Sequence, residues 1–371
     1  MLAIDVNDNA GHLIPRGVLT TIASELAPTM AGLRGRLQRG CMPTFYDARG
    51  NIYAVASPAE VRGLGLDVPA HAEQAALQRQ SWTLEAVEAL CGWGGQAPAR
   101  GGKHHRSDGL LVGPFQTQAP FDLLIVNTDG TLAERSGNGL TIFAQALTEQ
   151  GLMPAQGGCL LRVHHDQPGG LTPVSTSVEP ARVEDQQGFW LDLGKPAFGP
   201  AAVAAQGVGE AEFNGRPLNH VAGLSSLNAA WQRSQFVRIG NPHCVTLVED
   251  PALLPSNAQM GESSLEPGLT RLAFAPPTGA GEPCAAGVNL QWATLVAPGH
   301  LQARVFERGE GPTASSGTSA SAVACAAWRV GWVEAGEVRV SMPGGTAPIR
   351  LVALEDELQS VHLFGAARRQ S

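Results

Sequence analysis

The chain has 371 residues, 43% hydrophobic and 16% charged, which is enough apolar material for a substantial core. At roughly 100–200 residues per domain, that length predicts two lobes. A formal net charge of -8 argues against a general nucleic-acid or anionic-membrane binder. The 45 glycines and 26 prolines read as the turns of a strand-rich α/β chain. No apolar run approaches about 18 residues, and the first residues (MLAIDVNDNAGHL) carry no basic segment followed by an apolar one. The expectation is a soluble, unexported, cytoplasmic protein. Its six scattered cysteines, Cys41, Cys91, Cys159, Cys244, Cys284 and Cys325, form no C-x-x-C pair and read as reduced thiols.

In chain order, residues 16–40 predict one or two amphipathic helical turns. FYDARGNIYAVAS reads as strand, turn and strand, and Thr83 followed by LEAVEAL as an N-capped helix. Residues 58–82, 92–107 and 252–284 read as long or irregular loops. GLLVGPF and FDLLIVN are strands; TDGTLAERSGNG is a turn, and LTIFAQALTEQG a helix ending at Gly151. The second half repeats that order: LQARVFERG a strand, GEGPTASSGTS a polar turn, ASAVACAAWRVG a helix ending at Gly331. Ser136 and Ser316 thus sit at matching points roughly 180 residues apart, each just before a helix. Free N–H groups and the positive dipole end at a helix start suit a substrate carboxylate. If the two halves face each other, both helix starts point into one cleft.

Some patterns carry no such chemistry. Gly309-Glu-Gly-Pro-Thr-Ala314 fits G-x-G-x-x-A, but Pro312 removes an N–H that a dinucleotide phosphate needs. There is no phosphate-binding G-x-x-x-x-G-K-[ST] loop, and no G-x-S-x-G elbow surrounds either serine. Only Lys103 and Lys195 could form a pyridoxal Schiff base, and both read as solvated. His104-His105 and His164-His165 read as loop or strand residues whose adjacent side chains diverge, so no metal is expected.

Three segments together resemble the diaminopimelate epimerase family: Asn127-Thr-Asp-Gly-Thr-Leu-Ala-Glu134-Arg-Ser136-Gly137-Asn138-Gly139, Gly240-Asn241-Pro242-His243-Cys244-Val245 and Glu307-Arg308-Gly309-Glu310-Gly311-Pro312-Thr313. Their order and spacing match from about residue 41 to 365, including FWLDLGKPAFGP between the halves. The resemblance implies an α+β fold of two pseudo-symmetric lobes, each a mainly antiparallel sheet or barrel wrapped around a central helix, with the active site between them. It implies a segment 1–40 preceding lobes at 41–196 and 197–360, then a short tail, 361–371. The family's returning last strand is expected to be missing or very short, with residues 1–40 available to replace it. Members of the family often form homodimers.

The implied activity is epimerisation or racemisation of a small amino acid or related zwitterion, without cofactor or metal. Two cysteines do this in the family, one removing the α-proton and the other returning a proton to the opposite face. Their positions match Ser136 and Ser316 here. An ordinary thiol ionises near pH 8.5, whereas a serine hydroxyl needs an adjacent base. His243 and Glu307 match the residues that tune the thiols and are the candidate bases. By the same resemblance Asn51, Asn127, Asn241 and Asn289 hold the distal and α-amino groups, and Glu307 and Arg308 bind the amino group and a carboxylate. The backbone of Gly137, Asn138, Gly317 and Thr318 cradles the α-carboxylate. The family's Asn-Asp-Phe is Asn51-Ile52-Tyr53 here, and its substrate-reading Gln is Gly109, so diaminopimelate itself is not assured as the substrate. The rival readings are a lyase or dehydratase on the same scaffold, and an amino-acid binder that has lost catalysis.

Overall fold

The computed structural model describes residues 43–93, 104–154, 157–167 and 171–370. The expectations for residues 1–40, for Cys41, for Lys103 and for most of the 92–107 loop lie outside them. The chain divides into two compact units: one up to Phe189 together with the residues from Gly365 onward, the other Trp190–Phe364.

In the first unit, β1 (Thr44–Ala48) and β2 (Asn51–Ala56) form a hairpin whose turn residues, Arg49 and Gly50, both have positive φ. Helices α1 (Pro58–Gly63), α2 (Ala72–Leu77) and α3 (Thr83–Leu90) follow. Two of these occupy the stretch 58–82, which was expected as irregular loop. Ser57 and Glu60 form a reciprocal capping box with Pro58 in the first turn. Val61, Leu64, Ala75, Ala76 and Trp82 are buried in one cluster with Ala54, Leu110 and Leu124. The third helix starts at Thr83 itself rather than being capped by it, and the Thr83 hydroxyl donates to the Gly130 carbonyl at 2.7 Å.

Strand β3 (Gly109–Val112) runs parallel to β2, and β4 (Phe121–Asn127) is antiparallel to β3. β5 (Leu132–Ala133) folds back on β4. Helix α4 (Gly137–Glu149) comes next, with Leu140, Ile142, Phe143 and Leu147 fully buried. A helix apolar on most of its surface must be surrounded by other elements rather than lie on a surface. β6 (Cys159–Val163) then pairs parallel to β4, and β7 (Val174–Val183) antiparallel to β6. β8 (Gln186–Asp192) carries the chain across the boundary at Phe189.

The second unit opens with β9 (Ala197–Phe198), β10 (Gly209–Phe213), β11 (Arg216–His220) and α5 (Ala222–Leu227). β12 (Ser234–Ile239) and β13 (Asn241–Leu247) then form a hairpin around Gly240, whose φ is 67°. The 252–284 stretch is more ordered than expected and holds α6 (Asn257–Met260) and α7 (Glu266–Ala273). β14 (Asn289–Ala297) lies parallel to β13, β15 (His300–Glu307) antiparallel to β14, and β16 (Gly311–Thr313) folds back on β15. The G-x-G-x-x-A stretch is therefore a strand-to-strand turn rather than a helix-opening loop.

Helix α8 (Gly317–Arg329) is rich in small residues; Ala320, Ala322, Val323, Ala324, Cys325, Ala326 and Ala327 are all buried in the largest cluster. Small side chains let the surrounding strands approach the helix on several sides. β17 (Gly336–Met342) pairs parallel to β15, and β18 (Gly345–Leu354) and β19 (Glu357–Gly365) complete the meander. Finally β20 (Arg368–Arg369), only two residues long, pairs with Tyr46 and Asp47 of β1 in the first unit.

The pairing pattern shows an internal repeat. β1·β2 antiparallel, β2·β3 parallel, β3·β4 antiparallel and β4·β6 parallel in the first unit match β12·β13, β13·β14, β14·β15 and β15·β17 in the second. Register then equates individual residues. Asn51 and Asn241 open equivalent strands; Tyr53 pairs with Gly109 as His243 pairs with Asn289. Leu110 faces Val126 as Leu290 faces Phe306, which makes Asn127 the counterpart of Glu307. Ser136 and Ser316 are the N-caps of α4 and α8.

Candidate active site

In the first unit the site forms where β2 meets the start of α4. Side chains alternate faces along a strand: Asn51 and Tyr53 turn toward the helix, while Ile52 packs with the cluster on the other side. The Asn138 amide donates to Asn51 Oδ1 at 3.1 Å, and Tyr53 Oη lies 3.4 Å from Ser136 Oγ. Ser136 Oγ also accepts the Gly139 N–H at 3.0 Å, a side-chain cap on the first turn. Ser136 and Tyr53 are buried, at 3% and 1% exposure. Asn127 is anchored at the end of β4, where its amide donates to Thr131 Oγ1 at 2.9 Å.

In the second unit Arg308 organises the site. Its guanidinium donates to Asn241 Oδ1 at 2.9 Å and to the Ala286 carbonyl at 3.2 Å, and its backbone N–H donates to Asn289 Oδ1 at 2.9 Å. The structure therefore brings Asn241, Asn289 and Arg308 together. Glu307 is buried, and burial pushes its carboxyl up to about 7, against a hydrogen bond from Ser316 that favours the ionised form. Ser316 makes no side-chain cap on α8, in contrast to Ser136. One hydroxyl is thus committed to a helix cap and a phenol, the other to a carboxylate. The Thr318 hydroxyl is buried with no partner among the described residues.

His243, expected as a candidate base, is a weak one in this setting. Burial, reinforced by the positive charge of Arg308, lowers its pKa to about 3. Its Nδ1 takes the Gln291 amide N–H at 3.0 Å, and the same amide reaches Ser319 Oγ at 3.1 Å. The Glu307 carboxylate is the group of this unit suited to receive a proton near neutral pH. Sequence reasoning missed Tyr53 and Gln291, because both act through residues distant along the chain.

Among the described residues, the thiols offer no substitute for the absent pair. Cys91, Cys159, Cys244, Cys284 and Cys325 are free and buried, and burial raises each thiol pKa, that of Cys91 to about 12 and that of Cys284 to about 11. Lys195 is exposed and ion-paired with Glu357 at 2.9 Å. His104 and His105 lie outside any strand, within the loop-or-strand expectation, but the expected absence of an accompanying carboxylate is corrected: their Nε2 atoms come within 4.0 and 3.3 Å of Glu88 Oε1. His164 instead bonds Asp122 at 3.0 Å, and His165 the Leu171 carbonyl at 3.0 Å.

The repeated strand order, with a matching buried helix in each unit, gives the two-unit α+β fold of epimerases and racemases. Residues 235–369 match the family model described as diaminopimelate epimerase. Diaminopimelate epimerase 2 of Nostoc sp. is 30% identical over 247 residues, covering 66% of this chain and 74% of the relative. The diaminopimelate epimerase of Alkalilimnicola ehrlichii is 30% identical over 238 residues, covering 64% and 72%. The chain belongs to the diaminopimelate epimerase family. Among solved structures, a Bacillus anthracis phenazine biosynthesis protein of the PhzF family shares the fold at TM-score 0.51 and 12% identity, covering 89% of this chain and 96% of its own. A methylitaconate-delta-isomerase does so at TM-score 0.50 and 15% identity, covering 89% and 94%. Among the described residues, no helix is long and apolar enough to cross a membrane.

Proposed function

We propose that this protein is a cofactor-independent amino-acid epimerase or racemase in which hydroxyl groups, each supported by a partner, do the work of a thiol pair. The reaction divides into two proton transfers, and each unit carries the groups for one. In the second unit Ser316 takes the α-proton as its own proton passes to Glu307. In the first, Ser136 returns a proton to the opposite face of the carbon. The observation that carries the reading is the hydrogen bond from Ser316 to a buried Glu307 whose carboxyl changes charge near neutral pH. A general base works best when its pKa lies near the operating pH.

The first-turn N–H groups of α4 and α8, at Gly137, Asn138, Gly317 and Thr318, have no helical acceptor and supply donors for the α-carboxylate. They also favour the negative charge that builds on that carboxylate as the α-carbon is deprotonated. Asn51, Asn127, Asn241 and Asn289 offer amide oxygens and N–H groups to the ammonium and the side chain, and Arg308 offers its fork to a second carboxylate. Gly109 contributes no side chain, so substrate choice falls to these remaining groups. The homodimer expected from the resemblance and the cytoplasmic setting expected from the scattered cysteines belong to the same reading; the five described thiols are free, in keeping with that setting.

Incubation in deuterium oxide with the common L-amino acids and diaminopimelate, followed by proton NMR of the α-position, tests the reading. Deuterium appearing together with the inverted enantiomer is the expected result, with a rate that rises as the pH passes about 7. A keto acid or imine would make the protein a lyase. Ligand-induced thermal stabilisation with no exchange would make it a binder only.

A further inference from the structure

The internal repeat leaves the two serines with different neighbours. Ser316 has the Glu307 carboxylate, whereas the counterpart of Glu307 in the first unit is Asn127, an amide that cannot accept a proton near neutral pH. The counterpart of His243 is Tyr53, whose hydroxyl reaches Ser136. Where one unit holds a base beside its serine, the other holds a weak acid.

Three features fix that phenol in place. Its position in β2 turns it toward α4, in step with Asn51 two residues earlier. Its ring lies over Gly109 of the neighbouring strand, where an added Cβ would fall 2.8 Å from Tyr53 Cε1 and 2.7 Å from the Val126 carbonyl oxygen. Only glycine fits beneath the ring there. The third is Ser136 itself, held as the N-cap of α4 by the Gly139 N–H. With one lone pair on Ser136 Oγ taken by that N–H, the other is open to the Tyr53 hydroxyl 3.4 Å away, and donation from the phenol would leave the serine its own hydrogen to give away.

We propose that Tyr53 is the positioning residue that holds and replenishes the proton of Ser136, which makes the first unit the proton-returning half of the reaction. The step balances as follows. The Ser136 O–H bond breaks as a C–H bond forms at the carbanionic α-carbon; the serine oxygen takes the Tyr53 phenolic proton, and the phenolate regains one from water. An ordinary tyrosine ionises near pH 10, within reach of such a relay. The Gly139 N–H and the helix N-terminus stabilise the charge passing through Ser136 Oγ. This inference rests on the reading of Ser136 as a proton carrier.

The test compares the wild-type protein, Tyr53→Phe and a protein with 3-fluorotyrosine at position 53, each given separate enantiomers of an active amino acid in deuterium oxide. With Tyr53→Phe, inversion falls about a hundredfold, as loss of a positioned acid does. Exchange with retention persists from the enantiomer that Ser316 deprotonates, because that unit can return a deuteron to the face it came from. Fluorotyrosine restores inversion and moves its alkaline limb to lower pH. Inversion that survives Tyr53→Phe, or exchange and inversion that fall by the same factor, overturns the proposal. If no amino acid exchanges, the functional reading fails, and a second measurement still decides the hydroxyl pair. The chain has two tyrosines, Tyr46 and Tyr53, so the Cζ carbon signal of protein labelled with 13C-tyrosine is assigned to Tyr53 by comparison with Tyr46→Phe. A Tyr53 Cζ shift that moves in Ser136→Ala supports the pair, and one that does not move overturns it.

Discussion

Replacing Glu307 with Gln should stabilise the protein while abolishing its chemistry. Burial holds this acid at about 7 in place of its ordinary 4.5. At about 1.4 kcal/mol per pH unit, the folded chain pays about 3 kcal/mol to keep it ionised. The sign follows from proton binding. Between pH 4.5 and 7 the folded state holds a proton that the unfolded state has released, so stability is full below pH 4.5 and is lost as the pH rises through about 7. Glutamine keeps the shape, and its amide oxygen still accepts from the Ser316 hydroxyl, but it has no charge to bury. Glu307→Gln is therefore expected to exceed the wild type by up to about 3 kcal/mol at pH 8, or roughly 4 °C in melting temperature for a chain of this length, and by under about 1 kcal/mol at pH 5. Denaturant unfolding of both proteins at the two pH values measures this directly. A difference that does not change with pH, or a variant less stable at pH 8, would refute the assignment of Glu307 as the strained acid.

Ser136→Ala should cost the first unit about 1 kcal/mol through loss of the α4 cap, at every pH in the same unfolding assay, whereas Ser316→Ala removes no cap and its cost should grow as the pH rises through about 7, where the Glu307 carboxylate it supports is ionised. Ser316→Ala also takes a hydrogen bond from the Glu307 carboxylate, so the pH midpoint of its stability profile should move above that of the wild type. Asp122 accepts Arg162 at 2.6 and 2.8 Å and His164 at 3.0 Å; burial works to raise its carboxyl, but these bonds prevail and hold it below the ordinary value of 3.8. Asp122→Asn should cost about 1–3 kcal/mol at pH 7, a loss that fades as the pH falls below 3.8 and through the folded value. Gly109→Ala should cost about 1–3 kcal/mol in the same experiment, because its Cβ meets a carbonyl oxygen and the Tyr53 ring together.

What the sequence disclosed follows from the range of the interactions involved. The strand, turn and N-capped helix around Ser136 and Ser316 are local patterns, and their recurrence made the repeat visible before any coordinates. Glu307 and Ser316 stand nine positions apart across one such turn, so their partnership was within reach of spacing. The helices in 58–82 were not, because short Ala- and Pro-containing segments take their helical state from burial against β2, β3 and β4 rather than from periodicity. The weak basicity of His243 depends on its depth and on Arg308, 65 positions away. Tyr53 depends on Gly109 from a neighbouring strand and on Ser136 from a helix, neither close to it in sequence. The shared approach of His104 and His105 to Glu88 is set by a contact across 16 and 17 positions in a loop, where no strand or helix period applies.

The unlike partners of the two serines bear on kinetics in a way that thermodynamics constrains. Mirror-image amino acids have equal free energy, so for a racemase the ratio of kcat/KM in the two directions stays at parity whichever side chains flank the carbon. Under the proposed reaction, a carboxylate beside one serine and a phenol beside the other can then express their difference only in kcat and KM taken separately. Each enantiomer meets its own saturation behaviour and its own pH profile, while the Haldane relation between the two directions holds at every pH.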